Sequence, residues 1–160
     1  MSGLIGGAGS KSGIIGDPAL YWFGHMTANM TSAGIPQWTE GSDTIAANTM
    51  ASGVYTVKKA GVYQINCDAH YKTTTTSGHY FGMKIQRTPS GSSAGTIGFG
   101  GYLGDYQTVQ NTNHASLQQA RSFNYNDTFN MYFEISGTTC YGNASLAWSG
   151  TTLYISYLGE

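Results

Sequence analysis

Val62-Tyr63-Gln64-Ile65-Asn66-Cys67-Asp68-Ala69-His70-Tyr71-Lys72 decides the fold. Tyr63, Ile65, Cys67, Ala69 and Tyr71 fall on one side of an extended chain, and Gln64, Asn66, Asp68, His70 and Lys72 on the other. Side chains alternate across a strand, so this pattern predicts a β-strand buried on one face only. A helix would scatter the same residues around its circumference.

Three further stretches repeat the pattern. Phe81, Met83 and Ile85 alternate with Tyr80, Gly82, Lys84 and Gln86, and Phe129, Met131, Phe133 and Ile135 with Thr128, Asn130, Tyr132 and Glu134. Near the end, Leu153, Ile155 and Tyr157 alternate with Tyr154 and Ser156. Less regular strands are expected at 20–31, 53–57, 95–103 and 115–124. Turn-forming clusters separate them at 58–61, 88–92, 124–127 and 136–137. No apolar stripe of helical period competes. Several short strands punctuated this way predict one antiparallel sandwich or barrel spanning residues 20–160.

Composition narrows the function classes. The chain has 160 residues, 40% of them hydrophobic but only 9% charged, with a net charge of −1. Aromatic residues make up 13%, which argues for a packed body rather than a disordered one. So few charges give little colloidal repulsion, favouring a protein that lives in an assembly. Nucleic acid is not an expected partner, because the seven Lys and Arg include only one adjacent pair, Lys58-Lys59. No apolar run reaches the roughly 20 residues of a membrane helix, so no membrane partner is expected. The N-terminus lacks the charged start and apolar stretch of a signal peptide, and secretion is not expected. Cys67 and Cys140 form no disulfide framework, and the sequons at Asn29, Asn126 and Asn143 are of a kind that chance supplies in an Asn/Thr-rich chain.

Residues 1–19 differ from the rest. Ser2-Gly3-Leu4-Ile5-Gly6 returns as Ser12-Gly13-Ile14-Ile15-Gly16, two small apolar plugs flanked by glycines. Glycines disfavour a helix here, and the segment is too short for a core of its own. It reads as an extended arm that anchors on a neighbouring molecule through Leu4, Ile5, Ile14 and Ile15.

Catalytic and cofactor signatures are wanting. Gly6-Gly7-Ala8-Gly9-Ser10-Lys11-Ser12 is not a phosphate loop, because Ile5 and Ser10 stand where its glycines belong. His25, His70, His79 and His114 lack metal-ligand spacing, and Asp68 with His70 reads as exposed polar strand surface rather than a metal site. Cys67 lies on an apolar strand face, and Cys140 falls in a Thr/Gly-rich segment expected to be a loop. No catalytic residue, cofactor or metal is expected, and enzyme function is disfavoured.

Three stretches, in order, resemble the C1q/TNF-like domain. They are Val54-Tyr55-Thr56-Val57-Lys58-Lys59-Ala60-Gly61-Val62-Tyr63, the run from Ala115 through Asn126-Asp127 to Met131, and Leu146-Ala147-Trp148-Ser149-Gly150-Thr151-Thr152-Leu153-Tyr154-Ile155. Asn126 replaces the family's turn glycine, and Ala147-Trp148 departs from its Ser-Phe pair. The resemblance implies a jelly-roll sandwich and a homotrimer. In that fold the sheet holding strands 20–31, 62–72 and 150–159 faces the threefold axis, which implies a trimer interface at Gln64, Asn66, Tyr154 and Ser156.

The arm resembles the starts of small virion proteins of tailed bacteriophages. That implies a capsid decoration (cement) protein on the virion surface, its arm gripping the major capsid protein. The alternative is a tail-fibre tip joined to the fibre shaft, recognising a host receptor through aromatic loops such as Phe99-Gly100-Gly101-Tyr102 and Cys140-Tyr141. A secreted C1q-like ligand ranks below both.

Overall fold

Alternation of the kind seen at 62–72 recurs often enough to build two antiparallel sheets. A computed structural model describes residues 20–45, 49–73, 79–93, 95–103, 112–142 and 150–160. In chain order the strands are β1 (Tyr21–Met26), β2 (Trp38–Asp43), β3 (Thr49–Ala51), β4 (Val54–Thr56), β5 (Gly61–Thr73) and β6 (Tyr80–Thr88). They continue with β7 (Gly95–Leu103), β8 (Thr112–Phe123), β9 (Thr128–Ser136), β10 (Thr138–Cys140) and β11 (Thr152–Gly159). The arm and its anchoring residues Leu4, Ile5, Ile14 and Ile15 lie outside the described residues.

β5 organises the first sheet. β8 runs along one of its edges, while β11 and then β10 share the other, and β1 and β2 extend the sheet beyond β11. The second sheet has the order β3-β4-β9-β6-β7. Strands 20–31, 62–72 and 150–159 do share a sheet, though the first ends at Met26 as β1, and the edge strand β2 at Trp38–Asp43 lies outside every expected strand. The short strands β3 and β10 also went unforeseen, because three residues carry too little alternation to read. Phe99–Tyr102 is not a loop but part of β7, and Cys140 closes β10 rather than sitting in a loop.

The core lies between the sheets. Tyr63, Ile65, Cys67, Phe81, Met83, Ile85, Phe129, Met131, Phe133, Leu153 and Ile155, the inward sets of the four alternating stretches, are all buried. Trp22, Tyr55 and Phe123 join them from the weaker strands. Near one end Tyr55, Tyr63, Phe123 and Phe129 form a ring cluster with centroids 4.8–6.4 Å apart. Toward the other, Phe81 stacks on Tyr71 at 4.6 Å and meets Phe133 edge-on at 5.3 Å. Such aromatic pairs add about 0.5–1.5 kcal/mol each beyond the area they bury.

Turn chemistry fixes the pairing. Ser52 and Gly53 both have positive φ (49° and 77°), the two-residue turn that matches strand twist and joins β3 to β4. Gly24 sits where β1 and β2 shift register, and a Cβ there would overlap the Trp22 ring and come within 2.8 Å of the Thr39 carbonyl oxygen. Asn126, standing where the resembled family has glycine, adopts φ 64°. Asparagine tolerates that left-handed conformation better than most residues. Lys58 Nζ donates to its side-chain oxygen at 2.7 Å.

Candidate assembly face

The outward face of the first sheet is built by register. Tyr21 of β1 lies opposite Ser156 of β11, Ser156 opposite Gln64 of β5, and Gln64 opposite Ala120 of β8. One step along, the next row reads Phe23, Tyr154, Asn66, Gln118. A third reads His25, Thr152, Asp68, Ser116. These are the side chains left over once the alternate set has gone into the core.

The structure places Gln64, Asn66, Tyr154 and Ser156 side by side in the first two rows, as two directly opposed pairs. All four are half-buried in the single chain. Tyr21 and Phe23, which the pattern alone did not single out, complete the rows, and the Tyr21 ring stacks on Tyr154 with centroids 5.4 Å apart. Gln118 and Ala120 carry the patch outward to β8, where both are exposed. The two rows contain aromatic rings, amides, the hydroxyls of Ser156, Tyr21 and Tyr154, and a methyl, and no formal charge.

The outer face of the second sheet is of another kind. There Lys84 Nζ pairs with Glu134 at 2.6 Å and lies 4.8 Å from the Tyr132 ring centroid. Its charges are already satisfied within the sheet. In the uncharged rows of the first sheet Gln64 Nε2 donates to Asn66 Oδ1 at 3.4 Å, and Ser42 Oγ donates to the Tyr21 hydroxyl at 3.4 Å.

The third row and its neighbours carry histidines and an aspartate. Asp68 accepts a hydrogen bond from Ser116 Oγ. Beyond it, His70 and His114 oppose each other directly across β5 and β8, their rings stacked 4.1 Å apart and 19° from parallel. The histidines are scattered along the chain, yet pairing brings these two together. Tyr141, half-buried, presents its ring edge-on to His70 at 6.4 Å. Among the described residues no group of three His, Cys, Asp or Glu side chains is placed to hold a metal ion.

The cysteines belong to the core. Burial, with lesser repulsion from Cys140 and Asp68, pushes the Cys67 thiol well above its ordinary range. Burial likewise pushes the Cys140 thiol up to about 12, against an opposing contact with Thr151 Oγ. Neither forms a thiolate near neutral pH, and the thiolate is the reactive form.

A second polar centre is structural. The Asp127 carboxylate is 1% exposed and accepts the backbone N–H groups of Asn124 and Ser90, each at 2.9 Å, and Arg87 Nη2 at 2.5 Å. Burial alone would raise its pKa, but these donors outweigh that and hold it below the ordinary value. Asp127 thereby ties the β8–β9 turn to the segment that follows β6.

No family model matches the chain, and no curated protein does. Solved structures do match. The TNF protein Eiger from S. frugiperda superposes with a TM-score of 0.71 at 13% identity, over 90% of this chain and 95% of that one. Murine APRIL, in its crystal structure at pH 8.0, gives a TM-score of 0.67 at 11% identity, over 88% of this chain and 100% of that one. At such identities the likeness is one of fold. The architecture of this chain is the TNF-like jelly roll.

Proposed function

We propose that the protein is a non-enzymatic structural component of a tailed-bacteriophage virion: a homotrimeric capsid decoration protein that clamps the head shell. The observation that carries the reading is the uncharged double row Tyr21-Ser156-Gln64-Ala120 and Phe23-Tyr154-Asn66-Gln118, half-buried on β1, β11 and β5 and exposed on β8. Aromatic rings with satisfiable amides and no charge are the composition of the centre of a protein interface. The likeness of fold to the C1q/TNF-like domain supports three copies meeting on this face. The arm's two glycine-flanked plugs support attachment to the major capsid protein, each buried Leu or Ile contributing about 1.5–3 kcal/mol.

The mechanism is mechanical. A trimer carries three arms, and tethered plugs bind at high effective concentration, so the arms together hold better than any one alone. Bridging shell subunits adds contacts that expansion or internal pressure must break. The experiment is gold labelling of this protein on intact virions viewed by electron microscopy. Label distributed over the head is the expected result. Label confined to the tail would replace decoration with the tail-fibre tip.

A further inference from the structure

We infer that the end of the sandwich at which the arm is rooted is a second docking surface for the molecule the arm grips. It is an exposed aromatic and aliphatic patch around Lys58 and Lys59, and it fits a protein surface that carries apolar groups beside carboxylates. The inference rests on the decoration reading above, in which that molecule is the major capsid protein of the shell. Its basis is a continuous row, Tyr125, Lys58, Lys59, Tyr157 and Leu158, set beside the root of the arm.

Strand direction brings these residues together. The Tyr157 N–H donates to the Leu20 carbonyl at 2.8 Å, so the arm is rooted at the end where β11 finishes. The turns at 57–60 and 124–127, each carrying the chain from one sheet to the other, close the same end. They are bonded to each other: the Val57 N–H donates to the Asp127 carbonyl at 2.9 Å, and the Asn126 N–H to the Val57 carbonyl at 2.8 Å. The Tyr157 hydroxyl donates to the Ala60 carbonyl at 3.3 Å. Lys58 Nζ lies 5.5 Å from the Tyr125 ring centroid, and Lys59 Nζ 4.2 Å from that of Tyr157.

Tyr125, 59% exposed, and Leu158, 56% exposed, are the two most exposed large apolar side chains among the described residues, and both stand here. The turn that carries Tyr125 is already fixed by hydrogen bonds, so docking it immobilises little backbone. Of the carboxylates nearby, Asp127 is held inside by Arg87 and Glu160 is exposed. Lys58 and Lys59, the one adjacent basic pair in the sequence, outnumber Glu160, and a partner with carboxylates around its apolar groups complements that balance. A cyclic trimer sets its three equivalent ends at one height along its axis, so three arms and three patches meet a single surface. Each tethered arm then raises the effective concentration of its patch.

The test is co-sedimentation of the full chain with purified heads freed of this protein, at about 50 mM and about 500 mM salt. The double substitution Tyr125→Ser with Leu158→Ser, arm intact, should weaken binding at least roughly tenfold while leaving a trimer of parental thermal stability. Lys59→Glu should weaken binding several-fold at the lower salt and flatten its salt dependence. Parental affinity in either variant overturns the inference. A serine variant that has lost its trimer also overturns it, because the patch would then belong to the contact between copies. A parent chain that leaves the heads bare defeats the decoration reading itself, and this surface with it.

Discussion

Tyr154 on β11 stacks against Tyr21 on β1 on the outside of the sandwich, ring centroids 5.4 Å apart and planes 22° from parallel, while Asn66 flanks Tyr154 from β5. Both rings are half-buried, so neither contributes to the core. In the proposed trimer this pair is placed to contact another copy.

Tyr154→Arg should abolish trimer formation at micromolar concentration and leave the single domain folded. The new charge would be desolvated at an interface with no acid in the first two rows to pair with. Sedimentation combined with thermal melting checks both halves. A trimer of undiminished stability would remove Tyr154 from the interface.

Phe133→Ala should destabilise the domain by about 3–5 kcal/mol. Phe133 is fully buried, edge-on to Phe81 at 5.3 Å and to Trp38 at 6.5 Å. Both ring contacts vanish and a cavity remains. Denaturation at fixed protein concentration measures the loss, since association also shifts apparent stability. An unchanged midpoint would contradict the packing described.

Asp127→Asn should cost about 2–3 kcal/mol, because a neutral amide loses the charge-assisted bond to Arg87 and turns donor hydrogens toward backbone N–H groups. The pH dependence has a definite sign. A carboxylate whose folded pKa is depressed contributes stability fully present above the ordinary carboxylate pKa of about 3.9, and lost as pH falls through the lower folded value. The parent's melting temperature should therefore drop more steeply than the variant's between about pH 5 and about pH 3. Parallel curves would show that Asp127 is not the linked group.

Removal of residues 1–19 should yield a folded trimer that no longer decorates particles. Replacing Leu4, Ile5, Ile14 and Ile15 by Ser should do the same at full length. Exposed aliphatics on a free tail invite aggregation, whereas docked ones fill pockets. Occupancy on particles, measured by co-sedimentation, decides it. Wild-type occupancy by the truncated chain would move the binding surface to the sandwich.

The sequence by itself determined which face of β5, β6, β9 and β11 enters the core, because period-two contrast between apolar and polar residues is a local property. It also located the turns that join β4 to β5 and β8 to β9, where Gly, Asn and Asp carry the needed backbone freedom. Tertiary structure alone decided the rest. In β1 both faces are largely apolar, so no contrast told buried Trp22 from outward Tyr21 and Phe23. Their roles follow from antiparallel pairing with β11, at the opposite end of the chain, where a slip of one residue would exchange the two faces. His70 and His114 meet for the same reason: they are distant in sequence, and only the register of β5 on β8 puts one imidazole over the other.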